Sequence, residues 1–152
     1  MAQGLAVLAC VSAIMEDPTG PLGVDVLVTT LAGDGAGYLD GIGTAARFYR
    51  PQGCAVASDG TFVYVADTEN HVIRRIAVQG GSVTTLAGLP GGSGSMADGV
   101  ASAAAFTSPR DIYVDPADGD HAYVADYGNC AVQTSVFRSP VADSLQASCV
   151  LT

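Results

Sequence analysis

The chain has 152 residues, 49% of them hydrophobic, and carries 15 acidic side chains against six arginines and no lysine, for a net charge of −9. A field of this sign opposes binding to nucleic acid or to an anionic membrane surface. No run of 18 apolar residues occurs, so we predict a globular chain of one-domain length without a membrane span.

Residues 1–25 form an amino-terminal apolar segment. The stretch 4–15 is apolar and rich in small residues, and the chain turns polar at Glu16 and Asp17. A secretory signal has this outline, yet no lysine or arginine precedes the stretch, as such signals require. We therefore favour a degenerate strand of an incomplete preceding unit over a signal. Both a secreted and a cytoplasmic location stay open.

A six-residue string, VTTLAG, occurs at 28–33 and again at 83–88. Each copy is followed, in the same order, by Asp-Gly, an Ala-Ala string with a phenylalanine, a proline, a Tyr-Val-Ala-Asp string and an asparagine. The offset between the copies changes by only a few residues along the series. Loops absorb such small insertions while strands keep their register. The sequence therefore predicts a repeat protein.

The first repeat unit contains four short alternating runs rich in β-branched and aromatic residues, separated by Asp-Gly, Glu-Asn and Gly-Gly turn strings. Apolar residues do not recur at helical spacing, so helix is a minor component at most. Four-stranded units that recur along a chain are typical of propeller blades, which pack face to face. We predict an all-β fold with antiparallel strands at 53–57, 62–67, 72–78 and 82–88, then at 111–115, 121–126 and 131–136.

A series of family motifs runs through the first unit. A proline, a Gly-x-Ala-Val strand, a Tyr-Val-Ala-Asp strand, Asn-His and Ile-Arg stand at Pro51, 53–56, 64–67, 70–71 and 73–74. This order and spacing resembles the repeat of the NHL β-propellers. The resemblance implies a partial β-propeller of four-stranded antiparallel NHL-type blades, and it implies nothing specific about function.

The second unit departs from the NHL pattern after Asn129. Cys130 replaces the histidine, Val-Gln at 132–133 replaces Ile-Arg, and no further VTTLAG string follows. The resemblance covers residues 26–136. Residues 137–152 lack strand alternation, and we expect them to form a loosely ordered tail.

The number of blades is small for a closed propeller, which has about four to eight. The chain supplies one complete blade, three strands of a second, and an isolated fourth strand at 26–33. We expect a fragment of a larger propeller, with an open module or assembly of copies as alternatives. In the assembly, 26–33 would pair with the unpaired edge strand at 131–136 of another chain, as a head-to-tail trimer of strand-exchanged copies.

Each unit contains one aspartate that is followed three residues later by an asparagine. Asp67 precedes Asn70, and Asp126 precedes Asn129. Because the pairs recur with the blades, we predict that the carboxylates bond backbone amides in the tight turn that follows.

Three carboxylates cluster at Asp115, Asp118 and Asp120, with His121 beside them. Oxygen ligands of this kind suit calcium, but the order is not that of a calcium loop, and the repeat places a hairpin turn here. We therefore favour a polar turn and predict neither a metal nor a cofactor.

The arginines are the surface candidates for binding. Adjacent strand residues point to opposite faces, so Arg74 and Arg75 cannot both be solvated on one face, and one should pair with a carboxylate such as Asp67 or Glu69. Ion pairs between blades are the favoured role, and recognition of a peptide or acidic ligand is the alternative. The candidate binding residues are Arg47, Arg50, His71, Arg74, Arg75 and Arg110.

The chain contains four cysteines, Cys10, Cys54, Cys130 and Cys149, without the spacing of a zinc site. We predict buried free thiols in preference to a disulfide.

No nucleophile elbow, phosphate-binding loop or Cys/His nucleophile spacing occurs in the sequence. We predict a non-catalytic module for protein or ligand binding or for scaffolding, with a protein or peptide partner. The alternative class is a propeller-type hydrolase or lyase that uses a central metal.

Overall fold

The computed structural model of the protein describes residues 27–92, 96–117 and 121–136. Its strands are β1 (Gly41–Ile42), β2 (Pro51–Val56), β3 (Phe62–Asp67), β4 (Val72–Ala77), β5 (Ser82–Ala87), β6 (Pro109–Val114), β7 (His121–Asp126) and β8 (Ala131–Val136). Four 3-10 turns lie at Gly43–Ala45, Thr68–Asn70, Ala101–Ala103 and Tyr127–Asn129. The described residues contain no α-helix, and the predicted all-β fold is confirmed.

The first sheet, called blade one, has the order β1-β5-β4-β3-β2, with every pair antiparallel. Strands β2 to β5 are the four predicted for the first unit, and β2 begins two residues earlier than predicted, at Pro51. The hairpin between β2 and β3 is closed by Asp59, whose Oδ1 accepts bonds from the N–H and the hydroxyl of Thr61. The two-residue strand β1 pairs with β5 and was not predicted.

The second sheet, called blade two, has the order β6-β7-β8 and is also antiparallel. Its central strand, β7, contains the second Tyr-Val-Ala-Asp string and pairs with β6. The first such string lies in β3, which pairs with β2 in the same way in blade one. The prediction of two repeated antiparallel units is therefore confirmed.

The two blades pack face to face across a continuous apolar cluster, called the interblade core. Because successive side chains of a strand point to opposite faces of the sheet, every second side chain of the facing strands points into this core. Phe106, from the connection between the blades, is inserted among them and is 1% exposed. The remaining buried members are Tyr64, Ala66 and Ile73 of blade one, Ala104 of the connection, and Ile112, Val114, Ala122 and Val124 of blade two.

The opposite face of blade one is covered by the chain that precedes it. Phe48 packs there on Val65 and Ile76, together with Ala46 and Ala32. Phe48 occupies the same place in the first repeat as Phe106 does in the second. Each repeat thus brings its own phenylalanine to the face of the blade that follows it.

The isolated strand predicted at 26–33 does not form within its described part, residues 27–33. Residues 28–33 have the same sequence as 83–88, most of which lies in β5, but β5 is a strand because it pairs with β4. Among the described residues the 27–33 segment has no such neighbour, and the Gly33 N–H instead donates to the Gly43 carbonyl at 3.1 Å. Pairing of this segment between chains stays a prediction.

The prediction of buried thiols is wrong for the two cysteines in the described residues. Cys54 and Cys130 are both exposed. Cys54 lies on the face of β2 turned away from blade two, and Cys130 ends a 3-10 turn in the left-handed conformation, with φ of 52°. Cys10 and Cys149 lie outside the described residues, as do the predictions for the segment 1–25 and the tail 137–152.

Within the described ranges, no helix is long and apolar enough to cross a membrane.

Candidate functional site

Arg74 lies at the centre of a buried polar network in blade one. Its side chain is fully buried, and Nη1 donates to Asp67 Oδ2 at 2.8 Å and to the carbonyl oxygen of Arg47 at 3.0 Å. Nη2 donates to Asp40 Oδ1 at 2.6 Å and to the carbonyl oxygen of Leu39 at 2.8 Å. Three of these four charge-assisted bonds fix the 39–47 loop against β4, and the fourth joins β4 to Asp67 of β3. Arg74 is therefore a structural residue inside the blade and is not available on its surface.

Asp67 is buried beside Arg74 and accepts three bonds. Besides Arg74, the donors are the backbone N–H of Tyr49 at 2.7 Å and Asn70 Nδ2 at 2.8 Å. Burial raises the pKa of the Asp67 carboxyl above its usual value of 3.8, and these three donors offset part of that rise. The prediction placed the bonded backbone amide in the turn that follows, but it belongs to Tyr49, which precedes the blade; in the following turn Asp67 bonds the Asn70 side chain.

The corresponding network of blade two lacks its cation. Asp126 is equally buried and accepts from the N–H of Thr107 at 2.8 Å and from Asn129 Nδ2 at 2.6 Å. Gln133 stands where blade one has Arg74, and its Nε2 reaches Asp126 at 3.5 Å and the Ala105 carbonyl at 3.4 Å. Both ion pairs found in the described part of the chain belong to Arg74. Blade two therefore holds its loop with weaker bonds.

His71 joins the two blades. Its backbone is left-handed, with φ of 60°, and its Nδ1 accepts the N–H of Ser108 at 2.9 Å. Acceptance at Nδ1 places the proton of the neutral imidazole on Nε2. Of the candidate binding residues, His71 thus has a specific role at the contact between blades.

Gly53 allows the innermost strands of the two blades to meet. A Cβ atom at this position would lie 2.5 Å from the Cα of Asp111 and 2.7 Å from the carbonyl oxygen of Arg110. Side chains do not tolerate such distances to backbone atoms, so the contact needs glycine here.

Blade two exposes an apolar surface on the side away from blade one. Tyr113 is 58% exposed and Tyr123 is 40% exposed; the two are cross-strand partners with ring centroids 6.4 Å apart. Ala125 and Val132, one neighbouring cross-strand pair, are also exposed. These four residues are called the open face. They occupy the repeat positions of Ala55, Tyr64, Ala66 and Ile73, which blade one directs to the interblade core.

A shallow groove of about 380 Å³ borders the open face. The guanidinium of Arg110 lies over the ring of Tyr127, 3.3 Å from its centroid, at one side of the groove. Ala125, Cys130 and Val132 contribute to its lining. Cation–π contact holds the guanidinium flat on the ring and leaves its edge for a hydrogen-bonding partner.

Comparison with known proteins agrees with the repeat pattern. Over 60 residues, 40% of this chain, the sequence is 42% identical to NHL repeat-containing protein 2 of Homo sapiens. The chain carries NHL-type propeller blades. It spans only 8% of the length of that relative, and 5% of Protein SUPPRESSOR OF QUENCHING 1, chloroplastic, of Arabidopsis thaliana, to which it is 48% identical over 52 residues, 34% of this chain. No protein-family model matches.

Solved structures show the same propeller architecture. An auxiliary nutrient binding protein from Bacteroides ovatus ATCC 8483 is 28% identical and superposes with a TM-score of 0.56 over 65% of this chain, which is 25% of that protein. A second auxiliary nutrient binding protein, from Bacteroides thetaiotaomicron VPI-5482, is 27% identical, with a TM-score of 0.59 over 72% of this chain and 29% of its own. The NHL-type blades described here therefore match about a quarter of such a propeller.

The remaining candidate binding residues lie on different elements of the NHL-type blades. Arg47 and Arg50 are exposed in the loop before β2, and Arg75 lies half-buried on β4, 4.8 Å from the centroid of the Phe62 ring. Arg110 is exposed at the groove. The structure thus groups Arg74 with Asp67 and Asn70 in blade one. Arg110 lies instead beside the open face of blade two.

Of the weaker metal candidates, the described residues include Asp115 and His121. Asp115 Oδ1 accepts the N–H of Ala117 at 2.8 Å, as in a side-chain-stabilised turn, and His121 is exposed at the start of β7. Asp118 and Asp120 lie outside the described residues. Within the described ranges, no group of three His, Cys, Asp or Glu side chains is placed to hold a metal ion.

Sequence reasoning did not single out the open face. The signal was present, because Tyr113 and Tyr123 alternate with the buried residues Ile112, Val124 and Ala122 on their own strands. Matching these positions to the first repeat would have shown that they face a following blade. Asp40, the second carboxylate of the Arg74 network, was also missed, since only the fold brings it to β4.

Proposed function

We propose that this chain is a non-catalytic NHL-repeat module that binds protein through the exposed face of its second blade. The observation that carries the proposal is the difference between two equivalent surfaces. Tyr64 of blade one is 5% exposed because blade two covers it, whereas Tyr123 at the same repeat position is 40% exposed.

The composition of the open face supports protein binding. Its tyrosines present large, rigid apolar surfaces that end in a hydroxyl group, and such residues are enriched in protein interfaces. Arg110 adds a guanidinium at the border, stacked on Tyr127. A surface with an aromatic centre and an arginine beside it has the features of binding hot spots. Burying Val132, which is 72% exposed, would add apolar area at the same place.

Site-specific photo-cross-linking tests this function. A photoreactive phenylalanine analogue is introduced at Tyr113 or at Val132 of the protein in its native host. A matched control carries the analogue at Gln79, an exposed residue in the turn between β4 and β5 and away from the open face. We expect light to produce one specific protein adduct from positions 113 and 132 and none from position 79, because only the former would be in the interface.

A second substitution distinguishes a specific adduct from random capture. Val132→Asp, in the protein that carries the analogue at 113, should abolish the adduct, because a carboxylate cannot be buried unpaired in an apolar contact. Equal adduct yields from all three positions, or no adduct from 113 and 132, would contradict the proposed function.

A further inference from the structure

Blade one holds a cation with a set of four oxygen atoms. Asp67 Oδ2 and the carbonyl oxygen of Arg47 both accept bonds from Arg74 Nη1, at 2.8 and 3.0 Å, so these two oxygens converge on one positively charged atom. The carbonyl oxygen of Leu39 and Asp40 Oδ1 accept bonds from Nη2, at 2.8 and 2.6 Å. The loop before β2 and the end of β3 thus form a site for a cation, which Arg74 occupies.

The second repeat places the same kinds of oxygen at the same positions of blade two. Asp126 and the carbonyl groups of Ala97 and Ala105 recur there, and Asp98 follows Ala97 in the loop. The loop is closed in the same way, because the Ala105 N–H donates to the Ala97 carbonyl oxygen at 2.9 Å. Gln133 replaces the arginine. Among the described residues, no cationic side chain lies within ion-pair distance of Asp126.

The distances around Gln133 decide which cation fits. Its Nε2 lies 3.5 Å from Asp126 Oδ2 and 3.4 Å from the Ala105 carbonyl oxygen, longer than the usual value of about 2.9–3.0 Å for such bonds. Neighbouring oxygen ligands around a calcium ion, each about 2.3–2.6 Å from it, lie about 3.3–3.7 Å apart at right angles. For magnesium the corresponding separation is about 2.8–3.0 Å. The observed spacing therefore fits calcium, and it is too narrow for a second guanidinium group.

The amide of Gln133 can present its oxygen to such an ion. Rotation of the amide by 180° about its last torsion exchanges Oε1 with Nε2, and the long contacts of Nε2 oppose this rotation little. Three oxygens then surround one point, from a carboxylate, a carbonyl group and a side-chain amide, which are the ligands that calcium takes in proteins. Gln133 is only half-buried, so water can complete the coordination.

The charges at this place also favour a divalent cation. Asp126 is 0% exposed, and its carboxylate accepts bonds from neutral groups: the N–H of Thr107 and the amides of Asn129 and Gln133. A buried carboxylate is costly unless a cation pairs with it. Asp98 adds a second carboxylate from the 97–105 loop, and a net charge of −9 attracts cations to the chain.

We propose that blade two binds one calcium ion between Asp126, the carbonyl group of Ala105 and Gln133, where blade one holds the Arg74 guanidinium. The inference is independent of the proposed function. The ion ties the 97–105 loop to β7 and β8. Because Phe106 follows this loop and is inserted in the interblade core, bound calcium also stabilises the contact between the blades.

Isothermal titration calorimetry of the chelator-treated chain with calcium chloride tests this site. We expect one ion per chain, with a Kd of about 10⁻⁴–10⁻³ M, and binding of magnesium chloride weaker by at least about tenfold. Gln133→Arg gives the site its own cation, as in blade one, so the calcium affinity should fall at least about tenfold through charge repulsion. Gln79→Arg is the matched control: it adds the same charge at an exposed turn and should keep the wild-type affinity.

Gln133→Glu should change the affinity in the opposite direction. It replaces the amide oxygen with a carboxylate, so calcium should bind at least about tenfold more tightly. This variant keeps the proposal testable if Gln133→Arg does not fold.

Three results would overturn the proposal. The first is a wild type that binds no calcium at concentrations about tenfold above the expected range. The second is a calcium affinity that neither Gln133 variant changes. The third is binding that Asp115→Asn abolishes, which would locate the ion at the turn between β6 and β7. None of these results bears on the cross-linking test of the proposed function.

Discussion

Replacement of Arg74 by alanine is expected to destabilise the fold by about 3–5 kcal/mol, the usual cost of removing one partner from a buried ion pair. The guanidinium is fully buried, with its central carbon 5.0 Å from the Tyr38 ring centroid and 4.9 Å from that of Phe48. Without it, Asp67 loses its buried cation, and the carbonyl groups of Leu39 and Arg47 each lose one donor and keep only the backbone N–H of the other residue. Both the lost charge pair and the lost packing act in the same direction.

Urea unfolding followed by circular dichroism measures this effect. Arg75→Ala is the matched control, because Arg75 is the adjacent arginine on β4 but is only half-buried and contacts one ring, that of Phe62. The control should lose no more than about 1 kcal/mol. Equal losses in the two variants would show that the buried network does not stabilise the blade as described.

Gly53→Val is the second substitution expected to have a large effect, with a loss of about 3 kcal/mol, at the upper end of the usual cost of overpacking. The new side chain would meet backbone atoms of Asp111 and Arg110, and backbone cannot move aside as a flexible side chain can. The two blades would be forced apart at their innermost strands. The expected consequence is a loss of interblade packing while each sheet keeps its own hydrogen bonds.

The measurement is thermal unfolding together with protection of the Ser108 amide from hydrogen exchange. That amide donates to His71 across the contact, so its protection reports directly on the closeness of the blades. Cys54→Val is the control: it places the same side chain on the same strand, at an exposed position on the face turned away from blade two. A Gly53→Val variant as stable as the control, with its Ser108 amide still protected, would contradict the described contact.

The sheets of this protein could be predicted from the sequence because strand alternation and turn residues are local signals. The Tyr-Val-Ala-Asp strings lie in β3 and β7, and both strands have the predicted bounds. Their β-branched and aromatic residues are a local signal that does not depend on the rest of the chain. The strand predicted at 26–33 does not form in its described part, 27–33, because a strand also needs a neighbouring strand and the described residues supply none there.

The polar contacts were harder to predict than the strands. Alternation correctly separates Arg74 from Arg75, but only the fold shows which of them is buried and that Asp40 and two carbonyl groups join Asp67 around it. The role of His71 likewise depends on the approach of Ser108 from the other repeat unit. The open face could have been predicted by matching the second repeat to the first, residue by residue.

Hydroxyl-radical footprinting of the purified chain, with modification quantified at individual tyrosines, tests the central claim most directly, because Tyr64 and Tyr123 are the same residue type at the same repeat position. We expect fast modification of Tyr123 and of Tyr113, and slow modification of Tyr64, which the second blade covers. Equal modification rates for Tyr64 and Tyr123 would contradict it, because they would mean that blade two does not cover blade one or that the open face is not open.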